Sequence, residues 1–409
     1  MTENKLKEYA QLIIEVGVNL QKGQDMLLVC PIELAYFARL VAKAAYERGA
    51  REVVYHWGDD ELDRLRYRKA ADEVFAKLPQ WQTALYEEYT HENAVRVMIR
   101  AGDPENLKGL DSQRIQRQAL ATANGMRKYF NLQISSVISW CIVSLPLPAW
   151  AIKVFPKDSE EQAMEKLWAA ILETVRVKGE GNAIASWRQH IALLKERSEK
   201  LNNLKLKKLH YKNDLGTDLT VELPKGHIWS GGEGKTQSGT AFVANMPTEE
   251  VATVPKRDGV NGILKAAMPL VLNGQLITDL EFEFEAGKIV KAYSSTGQDL
   301  LENQLAIDEG ARYLGEVALV PYDSPISRQN ILYYHTLFDE NASCHFAFGK
   351  AYPAIENAKD MTAEELFALG VNDSLIHVDF MVGTKDLSIT ATTEDGQEVE
   401  IFIDGNFAF

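Results

Sequence analysis

The sequence of 409 residues is long enough for roughly two or three domains whose cores need no disulfide or metal to fold. Its apolar fraction of 46% and charged fraction of 25% are typical of a globular chain and exclude disorder, collagen and coiled coil. The formal charge of −14 would repel nucleic acids and anionic membranes, so neither is expected as a partner.

Cysteine usage and the N-terminal sequence predict a cytoplasmic location. Cys30, Cys141 and Cys344 are far apart and form no Cys-x-x-Cys pair, so neither a disulfide framework nor a zinc knuckle is indicated. The start MTENKLKEYA is polar and charged, unlike a signal peptide. The 24 uncharged residues between Lys128 and Lys153 could span a bilayer, but their serines, prolines and β-branched residues favour a buried strand running into a loop. No transmembrane helix is predicted.

The first half of the chain alternates strand-like and helix-like segments. Helical spacing is found over 32–48, which ends at Gly49, and over 59–73 and 159–177. Strands alternating with such helices imply a mostly parallel sheet with helices on both faces, so we expect an α/β domain over 1–188. The predicted strands are Asp25–Cys30, Glu52–Trp57, Val95–Ile99 and Ile134–Leu145.

Short strands dominate the second half. They are predicted within 206–214, 217–223, 276–295 and 387–407. One helix is predicted at Asn303–Leu314. These elements indicate an α+β domain rich in antiparallel strands over 189–409. The turn signals between the strands are Asp214-Leu215-Gly216, Asn273-Gly274, Ala286-Gly287 and Asp395-Gly396.

Several familiar motifs are absent or incomplete. Neither the dinucleotide-binding G-x-G-x-x-G nor the nucleophile elbow G-x-S-x-G occurs where it is needed. The segment 230–236 resembles a phosphate-binding loop, but Trp229 stands where the first glycine is required and a strand-like segment follows. We therefore expect a glycine-rich turn that lets backbone approach a neighbouring strand or ligand. His56, followed by Asp59 and Asp60, is expected to be a structural histidine.

Four segments of the second half carry acidic or imidazole side chains that solvation explains poorly. Glu250 is expected on a short loop, and Glu316 follows a glycine and enters an apolar strand, where a bare carboxylate would be costly. Alternation with apolar residues in HVDFM places two further side chains on one face of a strand. The candidate residues are Glu250, Glu316, Glu340, His345, His377 and Asp379.

Charge arithmetic favours a dinuclear metal site if these side chains converge. The cluster would hold two neutral imidazoles and four carboxylates, and the carboxylates would repel one another, which raises their pKa values. Two divalent ions would bring the sum to zero, and imidazole and carboxylate ligands suit Zn²⁺, Co²⁺ and Mn²⁺.

Five segments resemble the thermophilic aminopeptidase T family of metallopeptidases, which includes bacterial aminopeptidases II and S. They are WSGG at 229–232, ANMPTEEV at 244–251, RYLGE at 312–316, DENASCHFAFGKAYP at 339–353 and HVDFMVG at 377–383. The resemblance extends over essentially the whole chain. It implies that the six candidate residues bind two divalent ions (Zn, Co or Mg) and that Tyr352 lies near them. It also implies an N-terminal domain that covers the site and aids the substrate cavity, and a homodimer.

The activity implied is removal of the N-terminal residue from peptides by metal-activated water. Glu316 or Glu340 would bridge the ions, Glu316 is favoured as proton carrier, and Tyr352 could stabilise the oxyanion. A packing role for Tyr352 before Pro353 is the alternative, and Cys344 is expected to be a small buried neighbour of His345 rather than a nucleophile. The competing functions are another dinuclear hydrolase (an amidohydrolase or phosphodiesterase) and a non-catalytic protein that binds peptide or metal.

Overall fold

Apolar strands followed by amphipathic helices build the first part of the chain, as its sequence predicts. The structure, a computed structural model, describes residues 2–272 and 275–409. This part of the chain contributes four strands, in the order β4-β3-β1-β2, to a parallel sheet of five. They are β1 (Asp25–Pro31), β2 (Glu52–Gly58), β3 (Val95–Arg100) and β4 (Trp140–Ser144).

Eight helices accompany this part of the described chain. They are α1 (Glu3–Leu12), α2 (Ala35–Arg48), α3 (Asp60–Lys69), α4 (Gln80–His91), α5 (Ser112–Ile134), α6 (Pro148–Val154), α7 (Glu160–Thr174) and α8 (Ala183–Asn203). Gly49 caps α2 with φ of 100°, a left-handed conformation that glycine adopts without strain. A parallel sheet accompanied by helices confirms the predicted α/β class.

Two predicted elements are wrong in their bounds. The strand expected at Ile134–Leu145 is confined to β4, because Ile134 still belongs to α5 and Ser136, with φ of +50°, ends the helical run. The helix expected at Asn303–Leu314 is observed as α9 (Gln298–Leu305), and Leu314 begins a strand. Asp308 accounts for the break, since its carboxylate accepts hydrogen bonds from the backbone N–H groups of Ala311 and Leu375.

The contacts along the chain define two units. The first contains residues up to Ile191 together with Glu233–Thr248, and the second contains Ala192–Gly232 and Glu249–Phe409. The return of Glu233–Thr248 to the first unit is not evident from the sequence pattern, which places a single boundary after residue 188. In that segment β8 (Gly234–Lys235) pairs with β9 (Ala241–Phe242), and β10 (Asn245–Met246) joins β4 in parallel.

An antiparallel sheet of eight strands dominates the second unit, in the order β16-β15-β12-β6-β5-β20-β21-β22. The hairpin between β15 and β16 turns at Ala286 and Gly287, whose φ values of 45° and 82° suit a tight hairpin turn. The strands are β5 (Leu206–Lys212), β6 (Asp218–Glu222), β12 (Val260–Lys265), β15 (Glu281–Glu285), β16 (Lys288–Tyr293), β20 (Ser388–Thr393), β21 (Glu398–Ile403) and β22 (Asn406–Phe407).

A small hairpin pairs β13 (Leu270–Leu272) with β14 (Gln275–Ile277), and the predicted Asn273-Gly274 turn lies outside the described residues. The second unit also contains the short helices α10 (Thr336–Asp339) and α11 (Ala363–Ala368). The antiparallel pairing confirms the α+β class of the second half.

A second antiparallel sheet of the same unit has the order β19-β18-β17-β11-β7. Its strands are β7 (Ser230–Gly231), β11 (Val251–Thr253), β17 (Leu314–Leu319), β18 (His345–Gly349) and β19 (His377–Met381). Alternate side chains point to opposite faces of a strand. One face packs into the hydrophobic core through Val317, Phe346, Phe348, Val378 and Phe380, which leaves the other face for polar side chains.

Within the part of the chain that the structure describes, none of the helices has the length and apolar character needed to cross a bilayer. The uncharged run between Lys128 and Lys153 is divided among α5, β4 and α6.

Candidate metal centre

Strand register brings two distant carboxylates into one row of the second sheet. Glu316 on β17 pairs with Ala347 on β18, and Ala347 pairs with Asp379 on β19. Directly opposed residues of antiparallel strands point to the same face, so both carboxylates leave the sheet on either side of Ala347. The methyl group of Ala347 leaves the space between them open.

The two predicted histidines lie on the same face of this sheet. His345 begins β18 two residues before Ala347, and His377 begins β19 two residues before Asp379. The period of two along a strand therefore aligns each imidazole with the carboxylate row. Glu250 is on the loop just before β11, as expected, and Glu340 opens a short 3₁₀ turn ahead of β18.

Five of the six predicted residues form two groups that share one member. One ligand atom from each of Glu250, Glu316 and His345 lies within 4.8 Å of the others, and the same holds for Glu316, His377 and Asp379. The shared residue is Glu316.

Three close contacts join imidazole nitrogens to carboxylate oxygens. His345 Nε2 lies 3.3 Å from Glu250 Oε2. His377 Nε2 lies 3.1 Å from both Glu316 Oε2 and Asp379 Oδ1. Each Nε2 therefore faces the acidic oxygens of its own group.

Glu340 lies beside these groups rather than in either of them. It is buried, with 9% of its surface exposed, and its Oε1 accepts a hydrogen bond of 3.4 Å from Asn341 Nδ2. The charges of Asp379 and Glu250 act on it. The preceding Asp339 turns elsewhere, because its carboxylate accepts the backbone N–H groups of Tyr333 and His335, and burial raises its pKa to about 7.

Backbone carbonyls fix the orientation of both imidazole rings. His377 Nδ1 lies 2.7 Å from the Lys350 carbonyl oxygen, and His345 Nδ1 lies 3.3 Å from the Ser343 carbonyl oxygen. A carbonyl can only accept, so each Nδ1 carries the proton and donates it. Each Nε2 therefore faces the carboxylates, and loss of its proton would free a lone pair for a metal ion, with Nδ1 still held by its carbonyl as is typical of metal-binding histidines.

Burial and mutual repulsion shift the ionisation of the carboxylates. Burial raises the pKa of Glu316, although His377 opposes the rise. Burial and the charges of Asp379 and Glu250 raise the pKa of Glu340 well above its ordinary value. Asp379 is the exception, because the charge and hydrogen bond of His377 outweigh burial and lower its pKa.

For the two imidazoles, burial acts to lower the pKa, whereas the neighbouring carboxylates act to raise it. Burial favours the neutral ring, but the hydrogen bond and charge of Glu250 outweigh it and raise the pKa of His345 to about 10. The pKa of His377 is raised well above its ordinary value, since Asp379 and Glu316 also outweigh burial. Protons thus balance the negative charge of the cluster.

Two glycines let backbone segments approach closely around the ligands. A Cβ atom on Gly231 would lie 2.6 Å from the carbonyl oxygen of Glu250, so glycine is required where β7 meets β11. This contact confirms the predicted glycine-rich turn against a neighbouring strand. Gly315 occupies the bulge where β17 shifts its register against β18, and its Cβ would lie 2.5 Å from the Lys350 carbonyl oxygen.

Three further residues singled out by the sequence have clear positions. Tyr352 is 42% exposed, and its ring lies perpendicular to that of His377 with 5.1 Å between centroids. Cys344 is buried, as expected, and burial raises its pKa to about 12, which leaves the thiol unreactive. In the first unit, His56 Nδ1 lies 3.2 Å from the Tyr86 hydroxyl, consistent with a structural role.

The donor set fits divalent cations. Carboxylate oxygens and imidazole nitrogens are the usual ligands of Zn²⁺ and related ions, and no thiolate is among them. The raised pKa values of Glu316 and Glu340 are the physical sign that the cluster needs positive charge.

Sequence reasoning missed Asn341, a fully buried residue whose side-chain oxygen accepts the N–H of Glu249. It lies within the DENAS segment, but the position of an amide next to a carboxylate does not by itself indicate a role in the site. The small side chain of Ala347 was also missed, although its position midway between two polar positions of neighbouring strands could have indicated it.

Comparisons with known proteins give a consistent result. Residues 2–407 match the thermophilic metalloprotease (M29) family. Aminopeptidase AmpS of Bacillus subtilis is 45% identical over 99% of this chain and 98% of its own length, and aminopeptidase 2 of Geobacillus stearothermophilus is 43% identical over 100% and 98%. The solved structure of wild-type AmpT from Thermus thermophilus superposes with a TM-score of 0.92 at 37% identity, covering 100% of both chains.

The ionisation of the cluster predicts that metal binding at pH 7 releases protons. His345 is protonated below its pKa of about 10, and a metal needs the neutral ring, so affinity should rise with pH until that value is reached. Zinc calorimetry in buffers of different ionisation enthalpy measures the release. The variant His345→Gln should release fewer protons, and a binding heat independent of the buffer would contradict the assignment.

Proposed function

The chain belongs to the thermophilic metalloprotease (M29) family, and on this premise we propose that the Glu316-centred cluster is the site of its peptide hydrolysis. The protein is a metal-dependent aminopeptidase, a hydrolase that removes the N-terminal residue from peptides. The observation that supports the site is the pair of ligand groups joined at Glu316. Its substrates are accordingly peptides with a free N-terminus.

We propose that the six residues hold two divalent ions. Glu250 and His345 would hold one, His377 and Asp379 the other, and Glu316 would serve both, with Glu340 completing the set. Two dications would balance the charge of the four carboxylates, which explains why several carboxylates can lie together in a buried site. Zinc, cobalt and magnesium are the proposed ions, from the family resemblance.

The residues around the ions would position substrate and move protons. Bound divalent ions supply a Lewis acid that polarises the scissile carbonyl and makes water nucleophilic at neutral pH. Glu316 contacts His377 through Oε2. We propose that its other oxygen takes the proton from water and gives it to the leaving amine.

Tyr352 is proposed to stabilise the negative charge that develops on the carbonyl oxygen. Its side chain is exposed rather than packed, and its ring rests against the edge of His377. A hydroxyl so placed can donate a hydrogen bond to the oxyanion. This exposure argues against the alternative in which Tyr352 merely packs before Pro353.

Two further properties are proposed from the resemblance. The family forms homodimers, and we propose the same assembly here. We also propose a cytoplasmic location, which is supported by three cysteines that are all buried and unpaired, as expected in a reducing compartment.

Metal removal tests the proposed function. Chelation should abolish release of the N-terminal residue from a leucyl anilide, and zinc or cobalt should restore it. Without the ion, no Lewis acid polarises the scissile carbonyl. A phosphodiester assayed in parallel separates the competing hydrolase, and a peptide blocked at its N-terminus is the matched control. Activity that survives complete chelation, or cleavage of the blocked peptide alone, would contradict the proposal.

Removing the hydroxyl of Tyr352 tests its proposed role. Tyr352→Phe should lower kcat by about 10²–10³ with little change in metal content, as expected for one oxyanion donor. Tyr293→Phe, at an exposed tyrosine on β16, is the control and should leave kcat unchanged. Equal kcat values for the two variants would assign Tyr352 a packing role.

A further inference from the structure

Asn341 belongs to the turn that carries Glu340 and reaches the loop that carries Glu250. It follows Glu340 in the 3₁₀ turn Glu340–Ala342, and none of its surface is exposed. A buried amide must satisfy its acceptor and its donors within the protein. Its partners therefore reveal which parts of the chain it holds together.

The amide makes three hydrogen bonds to three different groups. Its Oδ1 accepts the backbone N–H of Glu249 at 2.8 Å. Its Nδ2 donates to the Leu337 carbonyl at 3.0 Å and to Glu340 Oε1 at 3.4 Å. The loop that presents Glu250 is thus joined to the turn that presents Glu340 through one side chain.

We propose that Asn341 is a positioning residue for the ion held by Glu250, Glu316 and His345, an inference that rests on the proposed function of this cluster. The Glu250 carboxylate is on a loop. The hydrogen bond from the adjacent Glu249 N–H to Asn341 Oδ1 holds that loop at a fixed position relative to the turn of Glu340. Without it the Glu250 oxygen loses its fixed distance from His345 Nε2. Asn341 itself contacts no reacting atom.

A second buried asparagine offers a matched comparison on the other side. Asn372 Nδ2 donates to the backbone carbonyls of Gly310 and Gly349 at 2.8 and 2.6 Å, and the backbone carbonyl of Asn372 accepts the N–H of Ala351 at 3.0 Å. The residue between Gly349 and Ala351 is Lys350, whose carbonyl orients His377. Asn372 therefore supports the group of His377 and Asp379, not that of Glu250.

The contrast between the two asparagines defines the experiment. In Asn341→Ala, zinc affinity at the Glu250 and His345 position should fall by about 10–100-fold, as is usual when a residue that orients a ligand is lost, while the His377 and Asp379 position keeps its affinity. Asn372→Ala should show the reverse. Anomalous scattering from crystals soaked in limiting zinc gives the occupancy of each position, and calorimetry gives the affinities; neither depends on turnover.

The outcomes separate a positioning role from a structural one. Equal loss at both positions in Asn341→Ala, or no loss at either, would overturn the inference. If Asn341→Ala fails to fold, as judged by thermal unfolding of the metal-free protein, the smaller change Asn341→Ser is measured and must show the same selectivity. The unsubstituted enzyme reports separately on the proposed function, since occupied positions without peptide cleavage would refute that function and leave the Asn341 comparison valid.

Discussion

Repulsion among buried carboxylates is the constraint on which the site depends. Glu250, Glu316 and Asp379 meet two imidazoles on one sheet face, and Glu340 lies beside them. Burial and mutual repulsion oppose their ionisation, so the cluster must gain positive charge from protons or from metal ions. Protonated histidines supply it in the metal-free protein, and divalent ions would replace those protons. The affinity for metal and the acidity of the site are therefore two aspects of one charge balance.

The second sheet provides the geometry that makes this balance possible. Its strands bury aromatic and branched side chains on one face, which fixes the register and leaves the opposite face for the ligands. Ala347 separates the carboxylates of Glu316 and Asp379 with only a methyl group, and Gly231 allows β7 to approach the Glu250 backbone. Hydrophobic packing on one face thus stabilises an arrangement of charges on the other face that would not assemble alone.

Much of this could be predicted from the sequence, for identifiable reasons. The period of two in HVDFM predicts that His377 and Asp379 share a face, and the apolar run after Glu316 predicts that this carboxylate enters a strand. The failure of the predicted helix to continue to Leu314 could not be foreseen, because Asp308 accepts the backbone N–H of Leu375, which is distant in sequence. The roles of Asn341 and of the Lys350 carbonyl could not be predicted from the sequence for the same reason, because both depend on partners that only folding brings near.

The central claim is that Glu316 belongs to both ligand groups, and the metal content of variants that each lack one ligand tests it most directly. Glu316→Gln, His345→Gln and His377→Gln are loaded with zinc, passed over a desalting column and analysed for bound metal. The account predicts that each histidine variant loses one of two ions and that Glu316→Gln loses both. Retention of one tightly bound ion by Glu316→Gln would contradict it.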